Sequence, residues 1–222
     1  MEQCITALVA QKHNPDRVSV YLDGEYAFGL ARIVAAWLSV GQSLGEEKIA
    51  SLKAADAQES AYLQALKLLS YRPRSAEEVR QNLEKHAFAP EAVEAAIERL
   101  QRAGLLNDAA FAQAWVDNRT DFRPRSRRAL AYELRRKGVP AELVEQSLES
   151  VDDEELALQA ASKYARRLES LDWPDFRRKL AGFLGRRGFS YATADPVIRQ
   201  VYADLHAGEQ EDALLDVLED EQ

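Results

Sequence analysis

The four residues Arg72-Pro-Arg-Ser75 return as Arg123-Pro-Arg-Ser126, and the apolar positions behind each copy return at the same offset of 51. Val79 falls on Leu130, Leu83 on Leu134, Phe88 on Val139, Val93 on Val144 and Ile97 on Leu148. A third, degraded copy follows the second at an offset of 50, where Leu130 falls on Leu180, Leu134 on Leu184, Gly138 on Gly188, Val139 on Phe189 and Leu148 on Ile198. A period of this length describes one helical unit used three times, each unit completing its core against its neighbours. Such a chain presents a long surface rather than a pocket, which favours binding over catalysis.

The apolar residues behind each copy stand three and four apart, the spacing of amphipathic helices. Their ends are marked. Ser75-Ala-Glu-Glu78 is a capping box, Pro90 and Pro140 suit a first helical position, and Asn107-Asp108 is a start signal ahead of Phe111, Ala114 and Trp115. Gly104, Gly138 and Gly188 stand where helices should stop, while the first repeat reads Lys85-His-Ala87 at that place. Each unit resolves into three helices of about 10 to 14 residues. Phe111 and Trp115 share a helical face, so Trp115 is expected to pack, and Trp173 likewise.

The first thirty residues differ. Ile5-Thr-Ala-Leu-Val9 and Val18-Ser-Val-Tyr-Leu22 are β-type runs, Tyr26, Phe28 and Leu30 alternate with smaller residues, and Asp23-Gly24 predicts a type I′ hairpin turn. A two- or three-stranded meander is expected, then one helix near residues 31–38 and another over 46–55. Val34, Trp37 and Leu38 are candidates to pack on the strands, because a hairpin alone is marginal in water. The expected fold is therefore mainly α, an elongated set of three tandem three-helix repeats behind a small β-hairpin and helix segment. The expected divisions are residues 1–56, repeats over 57–104, 105–151 and 152–205, and an acidic tail over 206–222.

Net charge of −8 conceals a sorted distribution, because residues 204–222 hold eight acidic side chains and no Lys or Arg. All 29 basic residues lie in the balanced remainder. Residues 119–137 hold eight basic against two acidic side chains, 142–155 seven acidic and none basic, and 163–187 eight basic against three acidic. Charges farther apart than about 8 Å are largely screened in cell-like salt, so each basic block acts locally and a polyanionic partner stays open.

Enzymatic constellations are missing from the sequence. His13, His86 and His206 stand far apart without ligand partners at zinc spacing, and neither a phosphate-cradling glycine loop nor a nucleophile elbow is present. The expectation is a non-catalytic protein without cofactor or metal. The one cysteine, Cys4, fits a reducing compartment, and no stretch approaches a membrane span, so a cytoplasmic protein is expected. Gly185-Arg-Arg-Gly188 has the form of a nucleic-acid backbone clamp, but Gly188 aligns with the helix stop Gly138 and no suitable strands lie nearby.

The second-repeat basic block carries the sharper signal. On a helix started at Ser126, Arg127, Arg128, Tyr132, Arg135 and Arg136 share one half of the wheel, and Leu130 and Leu134 the other. The first repeat places Glu77 and Glu78 at the equivalent helix start, where acids complement the macrodipole. The second places Arg127 and Arg128 there, at about 0.3–1 kcal/mol each. A helix shaped for stability alone would not carry them.

With both Arg-Pro-Arg-Ser copies, the run Gly104-Leu-Leu-Asn-Asp-Ala-Ala-Phe-Ala112 and the stretch Glu133-Leu-Arg-Arg-Lys-Gly-Val139 assembled, the chain closely resembles the RecX family over about residues 57–205. The N-terminal hairpin segment looks like an extension of longer members. The resemblance implies tandem three-helix repeats, no catalysis, and binding in the groove of the RecA–DNA filament, commonly with inhibition of RecA ATPase and strand exchange. The candidate contact residues are then Arg72 and Arg74 in the first copy. In the second they are Arg119, Arg123, Arg125, Arg127, Arg128, Tyr132, Arg135, Arg136 and Lys137. The third repeat offers Trp173-Pro-Asp-Phe176 instead, which suits docking better than phosphate contact. A monomer acting on the RecA filament, with single-stranded DNA as a second partner, is the expectation. The alternative is a non-specific single-strand binder without a dedicated protein partner.

Overall fold

The structure, a computed structural model, describes residues 2–219, with side chains described through residue 207. The chain divides into two compact units, Met1–Asn107 and Asp108–Gln222.

In the first unit, β1 (Gln3–Gln11), β2 (Asn14–Leu22) and β3 (Glu25–Ala31) form the antiparallel meander. Asp23 and Gly24 both take positive φ, 50° and 91°, as a two-residue type I′ turn requires. A short β4 (Ser43–Leu44) pairs with β1 and completes a four-stranded sheet in the order β3-β2-β1-β4. The helix expected over residues 31–38 is a single turn, α1 (Arg32–Ala35). Because it stops there, Val34 and Leu38 reach the sheet core, but Trp37 leaves the helical face and is 90% exposed. The expectation that Trp37 packs on the strands is thereby corrected.

The helix expected over 46–55 does not stop. α2 (Glu46–Leu69) runs unbroken for 24 residues. Its first half places Leu52 in the sheet core with Ile5, Val20 and Leu30. Its second half places Ala61 and Ala65 in the core of the first repeat, against α3 (Ala76–Lys85) and α4 (Pro90–Arg102). Arg17 fastens sheet to helix through Asp56 at 2.8 Å and Ser60 at 3.1 Å.

The second unit holds α5 (Asp108–Phe122), α6 (Arg127–Arg136), α7 (Ala141–Ser147), α8 (Asp153–Ala165), α9 (Trp173–Arg186) and α10 (Tyr191–Glu219). The tail assigned to residues 206–222 lies almost wholly outside the residues whose side chains are described. α7 is shorter than the lengths expected, and Pro140 stands one residue before it as its N-cap. Leu130, Leu134, Val139, Val144 and Leu148 form the second-repeat core. The third-repeat core takes the aligned Leu180, Leu184, Phe189 and Ile198, and Val151 touches both. The repeat positions are thus the buried positions. Trp115 and Trp173 pack against these cores, Trp115 at 5.9 Å from Phe111 and Trp173 edge-on to Tyr202 at 5.0 Å.

All three repeats end their middle helix in the same loop. The amides of Phe88, Val139 and Phe189 donate to the carbonyls of Leu83, Leu134 and Leu184, the longer bond of a Schellman cap. The residue before each has positive φ: Gly138 at 73°, Gly188 at 92°, and Ala87 at 60°. The first repeat, with Lys85-His-Ala87 at this place, therefore has the same stop, built with alanine.

Candidate functional site

The start of each middle helix sets the geometry. Ser75 and Ser126 are both buried N-caps, accepting from the amides of Glu78 and Ala129 at 3.2 Å. In the first repeat Glu78 closes the capping box and grips Arg72 through both guanidinium nitrogens at 2.9 and 3.2 Å, which raises the Arg72 pKa. Arg74 is half-buried, with its Nε out of reach of any acceptor. In the second repeat Ala129 replaces that glutamate, so α6 carries no acid of its own in its first turn.

On α6, Leu130 and Leu134 are fully buried, and Arg127, Arg128, Tyr132, Arg135 and Arg136 are exposed, as the helical wheel requires. The Arg136 guanidinium lies 5.9 Å from the Tyr132 ring centre. Among the described residues, Arg123, Arg127, Arg128, Arg135 and Arg136 form no ion pair. The backbone amide of Arg127 donates to Asp153 at 2.6 Å, so the start of α6 borrows its acid from α8.

The other candidates are engaged. Glu133 accepts from Arg119 Nε at 2.9 Å, from the Trp115 indole at 2.8 Å and, on its other oxygen, from Arg125 at 2.8 Å. The Arg119 guanidinium and the Lys137 ammonium lie 4.4 and 5.0 Å from the Trp115 ring centre. Arg119 and Arg125 thus frame the basic face, and the solvent-facing cations are those of α6 with Arg123. Arg72 and Arg74 belong to the other compact unit.

Sequence reasoning passed over one residue that organises the loop. The carbonyl of Arg187 accepts from the Ser126 amide at 3.1 Å, and its side chain donates to the Pro124 carbonyl at 2.8 Å. The end of α9 thereby clamps the Arg123-Pro-Arg-Ser126 loop from both sides. Burial first, then the charges of Arg125 and Arg123, lower the Arg187 pKa. The signal was present in Gly185-Arg-Arg-Gly188, where Gly185 lies inside α9 and Gly188 ends it. The segment is a helix end, not a strand-flanked clamp.

The third repeat departs for a visible reason. α9 spans 14 residues against 10 for α3 and α6, gaining a turn at its start, where Asp172 caps by accepting from Asp175. Phe176 then falls on the position of Ser126 and is fully buried. No helix of the described residues is long and apolar enough to cross a membrane, and among them no group of three His, Cys, Asp or Glu side chains gathers to hold a metal.

Three-helix repeats, an α6 face whose arginines form no ion pair among the described residues, and a buried serine cap define a helical-repeat protein with an exposed basic surface. Comparison with known families places it further. Models of the first, second and third three-helix domains of RecX match residues 61–100, 107–148 and 152–198, and that of the regulatory protein RecX N-terminal domain matches 3–45. Regulatory protein RecX of Bacillus pumilus is 31% identical over 220 residues, covering 97% of this chain and 84% of that one. Its counterpart in Streptomyces coelicolor is 40% identical over 148 residues, covering 65% and 79%. A crystal structure of regulatory protein RecX superposes with a TM-score of 0.69 at 28% identity, over 88% of this chain and 98% of that one. RecX from Lactobacillus salivarius gives 0.58 at 25% identity, over 66% and 97%. The chain belongs to the RecX family of regulatory proteins.

Proposed function

We propose that this protein is a non-catalytic, cytoplasmic regulator that binds the RecA–DNA filament as a monomer and lowers RecA ATP turnover and strand exchange. It thereby acts on recombination, DNA repair and the SOS response. The observation that carries this reading is the α6 face. The guanidinium groups of Arg127, Arg128, Arg135 and Arg136 stand exposed around Tyr132 without ion-pair partners among the described residues, two of them at a helix start where cations are unfavourable. Guanidinium groups in such an array suit phosphates and carboxylates. Repeated helical units add many weak contacts along a filament, and linkage raises their effective concentration.

The test is the DNA-stimulated ATPase of RecA filaments, titrated with the protein at fixed salt. Suppression is expected at amounts well below RecA. The double variant Arg127→Glu, Arg128→Glu should need on the order of 100-fold more protein for the same effect, with unchanged helical circular dichroism. Suppression that survives in this variant would remove the α6 face from the contact. A protein that leaves RecA untouched but binds bare DNA tightly, with a salt slope of about 0.7 per phosphate, would be a non-specific single-strand binder instead.

A further inference from the structure

A second cationic site lies in the same unit, outside the α6 face. The end of α5, the loop before α6, and the facing sides of α8 and α9 enclose an open cleft of about 230 Å³. Lys163, Arg167 and Arg187 line it, and no acidic residue does. Among the described residues none of these three cations has a carboxylate partner.

Its walls are aromatic and fixed. Tyr164 and Phe183 stack at 4.1 Å with their planes 3° apart, and the Arg187 guanidinium lies 4.5 Å from the Phe183 ring centre. Arg187 is also tied to the Pro124 carbonyl, so its remaining donors are held in place before any ligand arrives. Phe122 stands at the rim, 74% exposed, and stacks on no other ring among the described residues. Lys163 on α8 and Arg167 in the turn that follows it are exposed, with Lys163 only weakly engaged by the Asp121 carbonyl at 3.5 Å. The positive charges of Arg125 and Arg123 bear on Arg187 as well.

We propose that this cleft binds one nucleotide of a single-stranded nucleic acid, its phosphate held by Lys163, Arg167 and Arg187 and its base laid against Phe122. A cleft of this size admits one such group of a longer chain rather than a whole small-molecule ligand, whose pockets run about 300–1,000 Å³. The preorganised guanidinium suits a phosphate fork, and a free aromatic face beside it is the feature that single-strand binders use to accept any base. An acidic peptide would use the cations and leave the ring idle; a paired duplex would offer no base to stack. The site deepens the filament reading, since it supplies direct DNA contact within the same protein.

Binding of fluorescein-labelled oligothymidylate to the full chain tests it, with polyglutamate as competitor. Phe122→Ala should weaken binding about tenfold at unchanged salt slope, since stacking is uncharged. Arg167→Gln should lower the slope by about 0.7. Bromouracil-substituted oligonucleotide should photocrosslink to the peptide containing Phe122. Unchanged affinity in Phe122→Ala, or stronger binding of polyglutamate than of oligothymidylate, overturns the proposal; the latter assigns the cleft to an acidic protein segment. RecA ATPase measured on the same variants separates the two readings. Suppression by the wild type with no loss of DNA affinity in Phe122→Ala sinks the cleft and spares the filament reading. Weakened DNA binding in the variant without any suppression of RecA by the wild type does the reverse.

Discussion

Glu133 is the residue whose role is least apparent from its neighbours in the chain. In the sequence it is one of two acids in a basic block; in the structure it joins Trp115, Arg119 and Arg125 across three segments. Its side chain is 16% exposed, so the bonds it accepts are partly sheltered from water. Glu133→Ala leaves a half-buried arginine and an indole without their acceptor, and should cost about 2 kcal/mol by urea unfolding. The same substitution releases Arg119 and Arg125 toward solvent. Ala87 makes the opposite case. It holds a left-handed conformation that costs an L-residue about 1–2 kcal/mol, in a cap the other repeats build with glycine. Ala87→Gly should stabilise the protein by about 0.5–1 kcal/mol, the larger freedom of glycine in the unfolded chain cancelling the rest. Thermal unfolding checks the sign.

At the scale of elements, the third repeat is joined to the second where the end of α9 meets the start of α6. A methyl group on Gly188 would sit 2.6 Å from Ser126 Oγ and 2.7 Å from Ala129 Cβ. Gly188→Ala therefore adds a clash to the backbone strain, and should destabilise by about 3 kcal/mol or more. Gly104 is the control. It also has positive φ, at 69°, but a Cβ there would meet open space, so Gly104→Ala should cost only about 1 kcal/mol in the same assay. The elements that the sequence reveals are those with punctuation. Ser75, Ser126 and the three aligned loops mark their helices, and the apolar positions between them are the buried ones. The failures have the opposite cause. Nothing in Ala54-Ala-Asp-Ala57 ends a helix, and α2 runs through the end expected near residue 55. Trp37 was placed on a helical face that stops one turn earlier.

Across the whole chain, charge is legible in sequence and its pairing is not. The three charged blocks can be counted directly, but which arginines are spent is a tertiary fact. Arg72 goes to Glu78, Arg119 and Arg125 go to Glu133, and the α6 arginines stay without ion pairs among the described residues. The basic block at 163–187 likewise contributes in two ways that linear order hides. Arg187 braces the loop of the preceding repeat, while Lys163 and Arg167 open onto a cleft with it. Both roles bring Arg187 to residues twenty or more positions away, beyond the reach of any helical wheel.

α2 has a mechanical consequence. As one helix of 24 residues it is about 36 Å long, with Leu52 gripped by the sheet and Ala61 and Ala65 by the first repeat. The two modules share an axle rather than a hinge. A torque applied to the sheet is passed toward α3 and α4 along the helix itself, because α2 is unbroken between Leu52 and Ala65. Anything that grasps the small β module thereby turns the first repeat.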